Sequence, residues 1–242
     1  MLKKGLVRPA KSTLEDGRIL TITPKRNAKS FIMRQNASGL SLTVPWGYPI
    51  EEITAKISEL ITRWDSKYRH STPKFAPGQT IECPGVTFEL YVQSLRPKGI
   101  ITSYDMPSVR IGIGSALNTE NTQVQTLINT VLSKAAHNIA PQLLIPHARS
   151  IAQRVGATPA QWHIGRGHRI LGTCSRAKVI TLSHMCVFLS EELREYIVCH
   201  ELAHLTHMNH SAQFHQLCDK YLGQREKSLE RALRHYLWPI IR

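Results

Sequence analysis

Two histidines one helical turn apart, His200 and His204, stand with Glu201 beside the first in the run Cys199-His200-Glu201-Leu202-Ala203-His204. For those side chains to act together the run must be helical, because residues i and i+4 share a face; both imidazoles then aim at one metal ion, with Glu201 close to any water the ion holds. The flanking residues supply the helix. Ser190 is a good N-cap, Glu191 and Glu192 place negative charge on the first turn, and Leu193, Tyr196, Ile197, His200 and His204 follow at i, i+3, i+4, i+7 and i+11. The pattern predicts a helix that is half core and half active site, as in a zinc hydrolase.

HExxH also arises by chance on solvated helices. Here Val198, Cys199, Leu202, Ala203 and Leu205 surround the pair, which predicts a buried helix where uncoordinated imidazoles would need hydrogen-bond partners. Catalytic zinc takes three protein ligands and leaves a fourth place for water. His207, His210 and His215 compete for the third. On a continuous helix His207 rises about 10 Å from His200, whereas nitrogens on one tetrahedral zinc lie only about 3.3 Å apart. A stop at Met208-Asn209, Asn being tolerant of the left-handed conformation, swings His210 back toward the metal and makes it the expected third ligand. His207 then reads as an exposed imidazole near a helix C-terminus, and His215 as either a hydrogen-bonding support or a surface residue.

The segment HELAHLTHMNHSAQF, His200 to Phe214, resembles the signature of the YgjP-like zinc metallopeptidases, relatives of the SprT-type and minigluzincin proteases. There HELxHL is followed by a short link, an NHS tripeptide and an aromatic residue, and the resemblance also makes His210 the third ligand. Upstream, Gly172-Thr173-Cys174-Ser175 and Lys178-Val179-Ile180-Thr181-Leu182 are similar to the family's WGSCS block and the strand after it, and Ile145-Pro146-His147-Ala148-Arg149 opens a helix where the family has one. Gly17-Arg18-Ile19-Leu20-Thr21-Ile22 and Ser41-Leu42-Thr43-Val44-Pro45 are similar to its N-terminal strands. The likeness is specific from about Leu171 onward. Departures are Leu171 for Trp, Thr173 for Ser, Ser183 for Asn and His215 for Trp; they leave the ligands and base untouched but alter the substrate side of the strand.

The expected chemistry is amide hydrolysis with Zn2+ as cofactor: His200, His204 and His210 hold the metal, and Glu201 is the general base that passes a proton from water to the leaving amine. His215, Tyr221 and Arg176 are candidates for stabilising the oxyanion, and the sequence does not choose among them. Zincin-type proteases hold substrate as an added strand, and Val179-Ile180-Thr181-Leu182 reads as that edge or as a simple core strand. Cys174 reads as a small buried residue rather than a nucleophile.

The chain has 242 residues, 31 Lys and Arg against 17 Asp and Glu, a net charge of +14, and 5 cysteines. The odd thiol count, the absence of CxxC and a basic N-terminus without an apolar run of about 7 to 15 residues predict a reducing, cytoplasmic setting. No stretch approaches the roughly 18 apolar residues of a membrane span. Peptide or protein is the expected substrate. The basic excess reads mainly as solvated loops, though Arg166, Arg169, Arg176 and Lys178 near the strand leave room for work close to nucleic acid. The alternative class is a nucleic-acid-associated binding protein with a structural or vestigial zinc site.

The expected fold is α+β, with an N-terminal β-rich lobe over residues 1–118 and a zincin-like catalytic lobe over 119–242, its HExxH helix packed on a small sheet. Strand-like runs from Gly17 to Val44 break at Pro24-Lys25-Arg26-Asn27 and Asn36-Ala37-Ser38-Gly39, an amphipathic helix runs from Pro49 to Trp64, and strands return at Thr80–Glu82, Thr87–Val92 and Ser108–Ile113. A helix from Asn121 to His137 is expected to be interrupted by Pro141 and Pro146, with a second piece to Val155 and a stop at Gly156. Strands at Trp162–Ile164 and within Arg169–Leu182 precede the metal helix, and helices from Ser211 to Leu222 and Glu226 to Tyr236 follow it. His163 and His168 read as polar loop residues. No internal repeat or low-complexity tract is visible in the sequence.

Overall fold

The computed structural model describes residues 5–14, 18–36, 39–68 and 74–240. Gly17 and the Ala37-Ser38 part of the expected turn lie outside them. The fold is α+β, with several small sheets and five α-helices among the described residues. Contacts divide the chain into two compact units, one of Met1–Phe75, Leu117–Asn129 and Ile241–Arg242, the other of Ala76–Ala116 and Thr130–Ile240.

In the first unit, β1 (Ala10–Thr13), β2 (Ile19–Lys25), β3 (Ile32–Asn36) and β4 (Gly39–Pro45) form a sheet in the order β1-β2-β4-β3. The central β2/β4 pair is parallel and both outer pairs are antiparallel. Leu40, Leu42 and Val44 alternate inward along β4, and the helix α1 (Ile50–Tyr68) covers them with Ile53, Ile57, Leu60, Ile61 and Trp64. Period two on the strand meets period 3.6 on the helix, which is what a one-faced sheet requires. Arg18 clamps Asp65 of α1 through two hydrogen bonds of 2.7 Å.

The second unit begins with β5 (Thr80–Cys83), β6 (Val86–Gln93), β7 (Ile100–Asp105) and β8 (Ser108–Gly114), in the order β5-β6-β8-β7. Its central β6/β8 pair is also parallel and its outer pairs antiparallel. The same strand order and pairing thus occurs twice although no sequence repeat is visible, because ladder pairing runs through backbone groups and does not require the same residues. α2 (Thr122–Val155) runs unbroken for 34 residues through Pro141 and Pro146. The expected interruption does not occur: a proline removes one hydrogen bond, and Ile139, Ala140, Leu144 and Ala148 stay buried on either side. Gly156, at φ +71, ends the helix as expected, with Ala157 N–H returning to the Ala152 carbonyl at 2.9 Å.

The remaining sheet holds β9 (Gln161–Gly165), β10 (Gly172–Cys174) and β11 (Val179–Ser183) in the order β10-β11-β9. β11 is therefore the central strand, parallel to β9 and antiparallel to β10. Of the two readings of Val179–Leu182 the core strand holds, and β9 and β10 take the edges. A 3₁₀ turn at His184–Phe188 leads into α3 (Glu191–Ala203), followed by α4 (Ala212–Tyr221) and α5 (Glu226–Arg234). α3 packs on β10, β11, α4 and α5. Arg194 of α3 is 5% exposed and donates to the carbonyls of Cys186 and Pro84, each at 2.8 Å, and of Val187. It ties the helix to the 3₁₀ turn and to the β5–β6 turn, and Phe88 of β6 stacks on Phe188 at 5.3 Å.

Candidate metal centre

α3 starts where its sequence predicts: Ser190 is the N-cap, its hydroxyl accepting from Leu193 N–H at 3.4 Å. Its end differs. The helix stops at Ala203 with His204 as C-cap, well before Met208-Asn209, and among the described non-glycine residues only Lys178 and Gln224 have positive φ. Asn209 thus does not end the helix by a left-handed turn. Instead His204 Nδ1–H donates to the His207 carbonyl at 3.0 Å, folding the chain back across the helix end. His207 contributes its backbone, and its ring takes no part in the cluster.

This early unwinding brings His210 over α3. Its Nε2 lies 3.1 Å from Nε2 of His200, and one nitrogen from each of His200, His204 and His210 lies within 4.8 Å of the others. Ring centroids are 5.0, 5.1 and 4.8 Å apart around the triangle. Nitrogens sharing one tetrahedral ion sit about 3.3 Å apart, so the spacing suits a metal. The bond from His204 Nδ1 leaves its Nε2 lone pair toward the cluster.

Phe214, fully buried on α4, packs against all three rings, at 4.9 Å from His200, 4.4 Å from His204 and 4.8 Å from His210. Its position follows from Ser211, the N-cap of α4, which accepts from Phe214 N–H at 3.4 Å. The NHS tripeptide thus places His210 and then starts the helix that carries the aromatic platform. The sequence held the aromatic, but not the fact that it touches every ring.

Burial, with the neighbouring imidazoles of His204, His210 and His215, lowers the His200 pKa to about 4, and burial lowers that of His204. Both rings are held neutral, the form that ligates. Glu201 is 5% exposed, and burial pushes its carboxyl up to about 7. It lies against Gly172 of β10: a Cβ there would come within 2.5 Å of Glu201 Oε1. The glycine opens the space the carboxylate occupies.

The other candidates fall elsewhere. Tyr221 lines a cavity of about 610 Å3 that shares Arg154, Glu195 and Arg225 with a neighbouring one of about 430 Å3. Their charges already pair, Arg154 with Glu195 at 2.5 Å and Arg225 with Glu192 and Glu195 at 3.3 and 3.2 Å, and no cluster histidine lines either cavity. Arg176 is exposed in the β10–β11 turn. His215 bonds Glu226 through Nδ1 at 2.8 Å, its ring 6.2 Å from that of His210. Cys174 is half-buried, and burial and the Glu201 charge raise its thiol pKa, which opposes a nucleophilic role. His163 is exposed beside Gln161, whereas His168 joins a polar cluster with Ser133 and His184.

A family model described as YgjP-like, metallopeptidase domain, matches residues 29–236. The chain belongs to the YgjP-like metallopeptidase family. Membership carries metal-dependent peptide hydrolysis as the family's activity. No curated protein sequence gives a significant match. Among solved structures, the metallopeptidase zymogen abylysin of Pyrococcus abyssi is similar at 24% identity and a TM-score of 0.35, over 41% of this chain and 100% of that one. No helix among the described residues is long and apolar enough to cross a membrane.

Proposed function

We propose that this metallopeptidase uses zinc, held by His200, His204 and His210, and that Glu201 is its general base. The observation carrying the reading is the convergence of three imidazoles, two of them held neutral, next to a buried carboxylate. When bound, zinc polarises a carbonyl and lowers the pKa of a water it holds toward about 7.

Glu201 accepts a proton at its carboxylate and returns it to the leaving nitrogen; its raised pKa of about 7 matches a group that must both take and give a proton near neutrality. Phe214 excludes water from beneath the rings and fixes their tilt. β10 is an edge strand beside α3, and an extended peptide adding to that edge would lie beside Glu201 in a zincin-like arrangement. We place the protein in a reducing, cytoplasmic setting on its odd number of cysteines. Neither the family nor the site geometry supports the nucleic-acid reading.

Metal analysis and a casein or peptide digestion assay on wild type and Glu201→Gln test the proposal. The expected outcome is one zinc in each protein and a loss of about 10²- to 10⁴-fold in the cleavage rate of the variant. Cleavage by the variant at the wild-type rate, or a wild type indifferent to chelation, would overturn the assignment.

A further inference from the structure

His200 has one atom that the proposed chemistry leaves unexplained. Its Nε2 faces His210, while its Nδ1 is buried with no hydrogen-bond partner among the described residues. His204 has no such deficit, since its Nδ1–H goes to the His207 carbonyl. A neutral imidazole that offers Nε2 to a metal carries its proton on Nδ1, and a buried N–H without an acceptor is costly. Ligating histidines almost always give that proton to a carboxylate, a carbonyl or water.

A carboxylate stands nearby that the mechanism does not use. Glu226, the first residue of α5, is 7% exposed, and its carboxylate, the Cys218 thiol and a His200 nitrogen all lie within 4.8 Å of one another. Oε1 of Glu226 accepts from His215 Nδ1 at 2.8 Å, and its backbone N–H donates to Asp219 Oδ1 at 2.9 Å, so the residue is anchored from α4. Cys218 is fully buried, in surroundings that favour a thiol over a metal-binding thiolate.

We propose that Glu226 is a positioning residue of the metal centre: its carboxylate, holding His215 on one side, takes the Nδ1–H of His200 on the other and so aims Nε2 of that ring at the metal. The proposal rests on the reading of His200 as a ligand. One buried carboxylate then links α3, α4 and α5 behind the ligands.

The test compares zinc-loaded wild type, Glu226→Gln, Glu226→Ala and His215→Ala, using chelator competition for zinc affinity and NMR of ¹⁵N-labelled histidine side chains, with far-UV circular dichroism as the folding control. Wild type should show a slowly exchanging, downfield His200 Nδ1–H. That signal should move upfield in Glu226→Gln, where a neutral acceptor replaces a charged one, and disappear in Glu226→Ala with a 10- to 100-fold loss of zinc affinity. His215→Ala should retain the signal, because Asp219 still holds the Glu226 backbone. If Glu226→Ala fails to fold, the wild-type and Gln spectra decide.

A wild-type spectrum without the protected proton, or one unchanged by substitution of Glu226, would overturn the proposal. So would a thiolate-to-metal charge-transfer band in the cobalt-substituted protein, which would make His200, Cys218 and Glu226 a metal site of their own. If the wild type binds no zinc, the reading of His200 as a ligand falls first, and this proposal with it; if it binds and cleaves but Glu226 proves indifferent, only the proposal falls.

Discussion

Gly172 has no side chain because the Glu201 carboxylate fills the place one would take. In Gly172→Ala the Cβ has to displace that carboxylate or the strand beneath it, and with Glu201 as the proposed general base a shift of about 1 Å costs about 10²-fold; the expected result is a kcat reduced by that order with zinc content retained. His184 tests a different property. It is 2% exposed, bonded to Ser133 at 2.8 Å and to the Gly165 carbonyl at 3.2 Å, and burial lowers its pKa to about 4. An unfolded histidine titrates near 6.5. As pH falls below that value the unfolded chain takes a proton that the folded chain refuses until about pH 4, so stability complete above about pH 7 drains away between those limits. Between pH 8 and pH 5 the loss from this one group is about 2 kcal/mol. Urea unfolding of wild type and His184→Gln across that range should show the variant with the shallower slope, and equal slopes would remove His184 from the account.

At the scale of elements, α3 owes its placement to a charged residue in the interior. Arg194 satisfies three backbone carbonyls from the 3₁₀ turn and the β5–β6 turn, and burial lowers its pKa from the usual arginine value without neutralising it. Replacing it with methionine keeps much of the volume but strands those carbonyls, at about 1 to 3 kcal/mol for each one left unsatisfied. Arg194→Met should therefore lower the midpoint of chemical denaturation substantially. A midpoint within error of wild type would show that water or neighbouring groups replace the guanidinium. The end of α3 matters as much as its start: because the helix unwinds at His204, the ten-residue separation of His200 and His210 becomes a contact of 3.1 Å.

For the whole molecule, the proposed zinc site would couple folding to metal. The three histidines come from α3, its C-cap and the link before α4 and converge only in the folded chain, so zinc held there would stabilise that state by mass action, about 2.7 kcal/mol at a free concentration one hundred times Kd. The melting temperature should rise with zinc and fall again on chelation; one that does not respond would mean that the cluster binds no metal in the native state. The two sheets with equal strand order add a feature visible only at this scale. Parallel pairing at the centre and antiparallel pairing outside are backbone arrangements, and sequences as different as GLSLTVP and SVRIGIG both fill the β4 and β8 positions.

The sequence alone determined the helix that leads through His200 and Glu201 to His204, its N-cap, the starts of α4 and α5, and the strand runs that became β4, β6 and β8. These depend on contacts between near neighbours and on burial period, which the order of residues records directly. Tertiary structure decided that α2 continues through two prolines, that β11 is central with β9 and β10 at the edges, that α3 stops at His204, and that Phe214 and Glu226 come against the histidines while Gly172 lies against Glu201. Each of these depends on what packs against the segment from far along the chain: burial on both sides of Pro141 outweighs the lost hydrogen bond, and a carboxylate twenty-six residues beyond His200 approaches its ring only after α4 and α5 have folded back on α3.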